Sequence, residues 1–379
     1  MSLYSERPSI ALLPSGFADL LPGEAEAEAR GIATVMETFS RYGYERVRPP
    51  LVEFEASLLS GSGSSLATQT FRLMDPETHR MMAIRPDMTT QIARIASVRL
   101  KDVARPLRLS YSGSCIVVGN QGREADRQIS QAGIELIGPD SAQADAEVVA
   151  LGAKALAALN IAGVSFDLSM PGMVLELVEQ SIDPEHKDAL LHALDRKDVS
   201  AVGELGGSIA DILKAMLGAT GPAEQALDKL ANLEFSGSVL AHFERLRASV
   251  KAIRESAPQL HLTIDPVDFR GWQYHTGLCV TIFSTHSREE LGRGGRYLAW
   301  DEPACGLTLR PQALLRAAPK GSVKLRCYVP AKLDDQQLST LHDEGFATVS
   351  ALDGAADPMV EAQRLRCTHI WKDGAISAL

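Results

Sequence analysis

The segment Ile84-Arg85-Pro86-Asp87-Met88-Thr89 sets a carboxylate and a hydroxyl where a strand gives way to a helix. Pro86 offers no backbone N–H and pushes Arg85 into extended geometry, so Asp87 and Thr89 fall on the junction itself. Two roles suit that position: a helix N-cap accepting orphan backbone N–H groups, or a carboxylate that takes a ligand ammonium. Gln131 and Glu135 stand four apart, and on a strand of period two they share a face. That face is either solvated, or it points inward and the buried Glu requires a partner. A third concentration is Phe269-Arg270-Gly271-Trp272-Gln273-Tyr274-His275-Thr276-Gly277. Arg270 can fork onto a carboxylate, and glycines let the backbone approach a ligand. An aromatic turn is the simpler reading of the same residues.

Other patterns exclude chemistry. Leu291-Gly-Arg-Gly-Gly-Arg-Tyr297 has the glycine content of a phosphate cradle. It lacks both the Lys-Ser/Thr of a P-loop and the spacing of a dinucleotide turn, so a Gly-rich strand lining a pocket fits better. The nine histidines do not fall at metal-ligand spacing, and neither H-E-x-x-H nor G-x-S-x-G occurs. The five cysteines contain no C-x-x-C pair, which fits a reduced cytoplasmic compartment without disulfides or structural zinc. No apolar run is long enough to span a bilayer, and the first thirty residues predict no signal peptide. A net charge of −10 without a Lys/Arg-rich run points away from a nucleic-acid backbone as the main partner.

These groups must be carried on elements, and the periodicity supplies them. Ile32, Val35, Met36 and Phe39 recur at helical spacing over 24–42, and Gly43 stops the run. Strands are expected over 44–52, interrupted by Pro49-Pro50, and in 70–74 and 80–85 around the turn at 75–78. The run Ser60-Gly-Ser-Gly-Ser-Ser65 reads as a loop, and 89–100 as a helix. A strand at 106–112 leads into the hairpin Ser114-Cys-Ile-Val-Val-Gly-Asn-Gln-Gly122, whose return strand reaches Gln131 and Glu135. Residues 141–159 form an Ala/Leu helix capped by Asp140 or Ser141, followed by a strand at 164–169. A nearly all-helical stretch spans 171–255, with glycine breaks near 203–207 and 218–221, and strands return at 260–264, 278–283 and 304–309. Residues 322–379 read β-α-β-α-β, with Thr368-His-Ile-Trp-Lys372 as the last strand. The expected fold is α+β: a mostly antiparallel sheet flanked by helices over 1–320, a helical insertion at about 171–255, and a small α/β domain at 321–379.

Taken in order, several segments resemble the catalytic core of histidyl-tRNA synthetases, a class II aminoacyl-tRNA synthetase family, over residues 14 to about 316. Pro14-Ser-Gly-Phe-Ala-Asp-Leu-Leu-Pro22 is similar to that family's opening loop, and Arg41-Tyr-Gly-Tyr-Glu-Arg-Val-Arg-Pro-Pro50 to class II motif 1. Ala83-Ile-Arg-Pro-Asp-Met-Thr89 resembles L-R-P-E-x-T, with Asp87 for Glu. Residues 269–277 resemble the histidine-specific R-G-L-D-Y-Y-T, and 292–297 resemble G-G-R-Y-D. The departures fall on ATP. Aligned without gaps, Val117 and Gly119 occupy the Arg and Glu positions of motif 2, Ala313 occupies the arginine of motif 3, and Arg310 stands three positions early. A valine cannot neutralise a triphosphate, so adenylation is expected to be lost.

The histidine-contacting positions fare better. Asp87, Thr89, Gln131, Glu135, Arg270 and Tyr274 match the family's, and His275 replaces its second tyrosine. A pocket that retains histidine contacts and loses ATP contacts resembles the regulatory-subunit branch of this family, associated with ATP phosphoribosyltransferase. That resemblance implies a non-catalytic chain, required with a short catalytic subunit for the first step of histidine biosynthesis. It also implies histidine as allosteric effector, no cofactor or metal, no tRNA, and a dimer within a hetero-octamer. The alternatives are a divergent histidyl-tRNA synthetase and a synthetase-like binding module that does not sense histidine.

Overall fold

A computed structural model describes residues 12–119, 126–269, 275–319, 325–352 and 357–379. The chain divides into two units between Pro319 and Lys320. The first is built on a nine-stranded sheet. In chain order its strands are β1 (Glu45–Arg46), β2 (Leu107–Ile116), β3 (Gln128–Ile137), β4 (Val164–Ser169), β5 (Gly221–Pro222), β6 (His261–Ile264), β7 (His275–Ser284), β8 (Ser287–Ala299) and β9 (Glu302–Leu309). Their spatial order is β1-β2-β3-β9-β8-β7-β4-β6-β5. Only the β1–β2 and β4–β6 pairs are parallel, so the mostly antiparallel sheet expected from the sequence is present.

Register assigns the faces. Glu135 pairs with Leu109 on one side and Gly306 on the other, and Gly306 pairs with Gly295. Directly opposed residues project to the same face, and the next row along is Tyr111, Gly133, Thr308 and Arg293. The other face carries Ile134, Leu136, Cys305 and Leu307, all buried. It packs against helices Glu24–Arg41, Ala142–Ala158 and Gly237–Ser256 in one large apolar cluster. Ser141 caps the second of these, its Oγ accepting from the Ala144 N–H at 3.2 Å. Among the described residues, apolar cover on the first face gathers at one end, where Leu107, Leu109 and Tyr111 meet Met88, Ile92 and Ala96. Polar residues gather on the remainder.

Four local readings need correction. The Gly/Ser run is not a loop but a 3-10 helix, Gly61–Gln69, closed by short local bonds such as Gly63 N–H to Ser60 O at 3.0 Å. The helix at 89–100 is α-helical only over Thr89–Arg94 and widens into a π turn at Ile95–Arg99. A helix at Pro311–Ala317, started by proline at its first position, went unread. The strand ending the second unit is not the last, because Ala375–Ala378 folds back antiparallel onto His369–Lys372. That unit holds a four-stranded sheet in the order Ala347–Ser350, Arg326–Val329, His369–Lys372, Ala375–Ala378. Small apolar clusters gather round Tyr328 and round Cys327 and Val329, as alternation along one strand requires.

Candidate functional site

A cavity of about 250 Å³ opens on this first face of the large sheet, small against the roughly 300–1,000 Å³ of drug-sized sites. Asp87, Thr89, Gln131, Glu135 and His275 all line it. The inward reading of Gln131 and Glu135 is therefore the one the fold adopts, with Glu135 only 1% exposed. Arg270 and Tyr274 lie outside the described residues.

Glu135 sits at the closed end. Tyr111 Oη donates to its Oε1 at 3.2 Å, and Tyr297 Oη to its Oε2 at 3.0 Å. Thr308 Oγ1 stands 2.7 Å from Tyr111 Oη, extending the network to β9. Two phenols do not repay full removal from water. Burial pushes the Glu135 carboxyl up to about 8, against the opposing pull of Tyr297. Burial thus favours the neutral acid form of Glu135 near pH 7. A ligand cation placed against it would draw the proton off.

Asp87 fills the first of its two candidate roles in part and also lines the cavity. Its Oδ1 accepts from the Thr89 N–H at 2.7 Å, a local bond at the helix start, although the formal cap residue is Met88. Its Oδ2 accepts from Gln131 Nε2 at 2.8 Å, while Gln131 Oε1 accepts from the Met88 N–H at 3.1 Å. Gln131 therefore ties the junction to β3 and fixes the direction in which Asp87 points. His275 lines the same cavity opposite Tyr297. Burial, and then the Arg293 guanidinium, push its imidazole down to about 3, so it stays neutral.

Tyr111, Tyr297, Thr308 and Gly306 complete the site and were not assigned from sequence. The legible signal was the glycine spacing. Gly133 and Gly306 flank Glu135 in register space, and neither could carry a side chain. A Cβ on Gly306 would fall 1.8 Å from Glu135 Oε2, and one on Gly133 would fall 2.5 Å from Tyr111 Oη. Of the positions read as vacated by ATP, Val117 and Ala313 line the cavity. Gly119 instead occupies an exposed turn at φ 75°, outside the lining.

The raised pKa of Glu135 sets a pH dependence. Folded, this group keeps its proton up to about pH 8; unfolded, it releases it near its ordinary 4.5. The folded state binds more protons across that window, so stability falls as pH rises through it, by at most about 1.4 kcal/mol per pH unit. Glu135→Gln should flatten this slope. Urea unfolding at pH 5, 7 and 8.5 compares the two, and parallel slopes would contradict the buried neutral acid.

Comparison with known proteins gives a consistent set. A family model described as histidyl-tRNA synthetase matches residues 16–314. The chain is similar to the ATP phosphoribosyltransferase regulatory subunit of Gluconobacter oxydans, 74% identical over 379 residues and covering 100% of each chain. It is 45% identical over 375 residues to that of Paramagnetospirillum magneticum, covering 98% of this chain and 99% of the relative. A solved structure from Bacillus halodurans, titled as an ATP phosphoribosyltransferase regulatory subunit/histidyl-tRNA synthetase, matches with a TM-score of 0.81 at 23% identity, covering 94% of this chain and 97% of that one. Histidyl-tRNA synthetase from Nostoc sp. matches at 0.75 with 19% identity, covering 96% and 92%. At such identities the solved structures speak for the fold alone.

Proposed function

The chain belongs to the family of ATP phosphoribosyltransferase regulatory subunits, built on the histidyl-tRNA synthetase fold, and from that premise we propose that it is a histidine sensor. In this reading it has no adenylation activity of its own. It works with a short catalytic subunit at the first step of histidine biosynthesis, as a dimer within a hetero-octamer in the cytoplasm, without cofactor or tRNA. Free histidine enters the cavity on the open face of the sheet and biases the assembly toward an inhibited state. The coupling is reciprocal, so substrates that favour the active state weaken histidine binding by the same factor.

One observation carries the reading. Glu135 is wholly buried, framed by two tyrosines, and faces a cavity that Asp87, Thr89 and Gln131 also line. An acid kept in that setting suits a small ligand with nitrogen donors. The ATP side supports the same conclusion, since Val117 and Ala313 present aliphatic groups where a synthetase places arginines. By resemblance to the family, Arg270 would serve the ligand carboxylate or its carbonyl.

Two assays test the proposal. Histidine-dependent exchange of pyrophosphate into ATP should stay at background, and clear exchange would return the chain to the synthetase reading. Mixed with a short catalytic subunit, the chain should raise phosphoribosyl transfer and make it inhibitable by histidine. Transfer rates indifferent to the chain would remove the regulatory assignment.

A further inference from the structure

Gln312, on the short helix Pro311–Ala317, makes two hydrogen bonds to a single residue of β3. Its Oε1 accepts from the Ser130 N–H at 3.1 Å, and its Nε2 donates to Ser130 Oγ at 3.2 Å. The Ser130 N–H can donate and cannot accept, so only this orientation of the amide serves. Both residues line the cavity, beside Gln131.

Register explains why a side chain is used here. β9 pairs with β3 as far as Leu309, which stands opposite Ala132. Residues two apart on a strand direct their N–H groups to the same neighbour, so the Ser130 N–H points to the side that β9 holds at Ala132. Continued, the register would set Pro311 opposite Ser130. Pro311 instead opens the helix, and its carbonyl turns along the helix axis. The Gln312 amide, built like a peptide group, takes the next place in the ladder.

The helix that carries Gln312 is anchored independently of it. Leu314 joins the main apolar cluster with Val35 of the helix Glu24–Arg41. Arg316 Nε donates to Glu289 Oε2, on β8, at 2.8 Å. Gln312 therefore ties β3 to a fixed element. One residue on, Gln131 uses both ends of its own amide, at the Met88 N–H and at the Asp87 carboxylate. A displacement of Ser130 carries Gln131 with it and disturbs that carboxylate.

We infer that Gln312 is a positioning residue of the histidine pocket: its side chain completes the β3 ladder and so fixes where Gln131 and Asp87 stand. The inference rests on the histidine-sensor reading, and Gln312 acts in it through Gln131 rather than on the ligand. Because Ser130 borders the cavity, water can take over its N–H when the amide is lost. Loss of Gln312 then loosens the site and leaves the chain folded.

Histidine calorimetry and amide hydrogen exchange on the full chain test it. Gln312→Leu keeps the bulk and removes both bonds. It should bind histidine about tenfold more weakly, the scale of one neutral hydrogen bond, with its urea midpoint close to wild type. Exchange at the Ser130 amide, measured without histidine, should quicken by about tenfold or more. Gln312→Glu should restore both readings to within about threefold of wild type, because its two oxygens accept from the Ser130 N–H and O–H. A packing role alone would not separate leucine from glutamate. Where Gln312→Leu fails to fold, Gln312→Asn replaces it; one methylene shorter, it stays polar and falls short of Ser130, and the same losses are expected. Unchanged histidine affinity in these variants would overturn the inference, with or without faster exchange, as would a glutamate variant as weak as the leucine one. A wild-type chain that binds no histidine would sink the sensor reading and this inference together, whereas wild-type binding that Gln312→Leu leaves intact would sink this inference alone.

Discussion

Asp145→Ala is expected to cost about 3–5 kcal/mol of folding stability, the range for breaking a buried ion pair from one side. Asp145 lies in the first turn of the helix Ala142–Ala158, and its side chain is only 2% exposed. Its Oδ1 accepts from Arg296 Nε at 3.0 Å and Nη2 at 2.6 Å. Its Oδ2 accepts from Ser249 Oγ at 2.8 Å and Arg245 Nε at 3.2 Å. Arg296, on β8, is itself buried and also donates to the carbonyls of Pro139 and Ser141. Removing the carboxylate takes the closest partner from a buried guanidinium, leaving it Asp140 at 3.3 Å, and unpins β8 from two helices. Those residues sit back to back with Gly295 and Tyr297, which line the cavity, so histidine affinity should fall as well. Replacing both charges, as in Asp145→Leu with Arg296→Met, should recover part of the loss, because no uncompensated charge remains. Urea unfolding measures this directly. A loss below about 1 kcal/mol, the scale of an exposed pair, would show that the network does not hold the sheet to its helices.

Gly306→Ala should abolish histidine binding while the fold survives. The added methyl would stand 1.8 Å from Glu135 Oε2 and 2.4 Å from its Cδ, with Gly306 directly opposite Glu135 in register. Glu135 is only 1% exposed, and the open direction beside it is the cavity itself. It must abandon the Tyr111 and Tyr297 hydroxyls or force β3 and β9 apart. Overpacking of this kind costs about 1–3 kcal/mol of stability. The expected loss of histidine affinity is at least about 100-fold, equivalent to about 2.7 kcal/mol. Inhibition of the reconstituted complex by histidine should disappear, while stimulation of the catalytic subunit persists. Titration calorimetry against the wild-type chain checks it. An alanine variant that binds histidine normally would mean that the ligand does not use the Glu135 end of the cavity.

What the sequence made legible follows from the strength of each local signal. Period-two spacing was enough to put Gln131 and Glu135 on one face, and proline chemistry was enough to place Asp87 and Thr89 at a junction. It could not say which face was inward, because that depends on which helices cover the sheet. Tyr111 and Tyr297 lie far apart in sequence and meet only through Glu135, so no local pattern announces them. Gly306 looked like an ordinary strand glycine until register brought it against a carboxylate. The Gly/Ser run misled because its low helix propensity hides the local bonds that close a 3-10 helix. Arg310 was visible as an arginine out of place. That it heads a short helix beside the cavity was not legible from its sequence neighbours.

Titration of histidine into the wild-type chain is the decisive measurement for the sensor reading. Saturable binding to one site per chain is expected, with a matching rise in thermal stability. No heat and no thermal shift at millimolar histidine would contradict it.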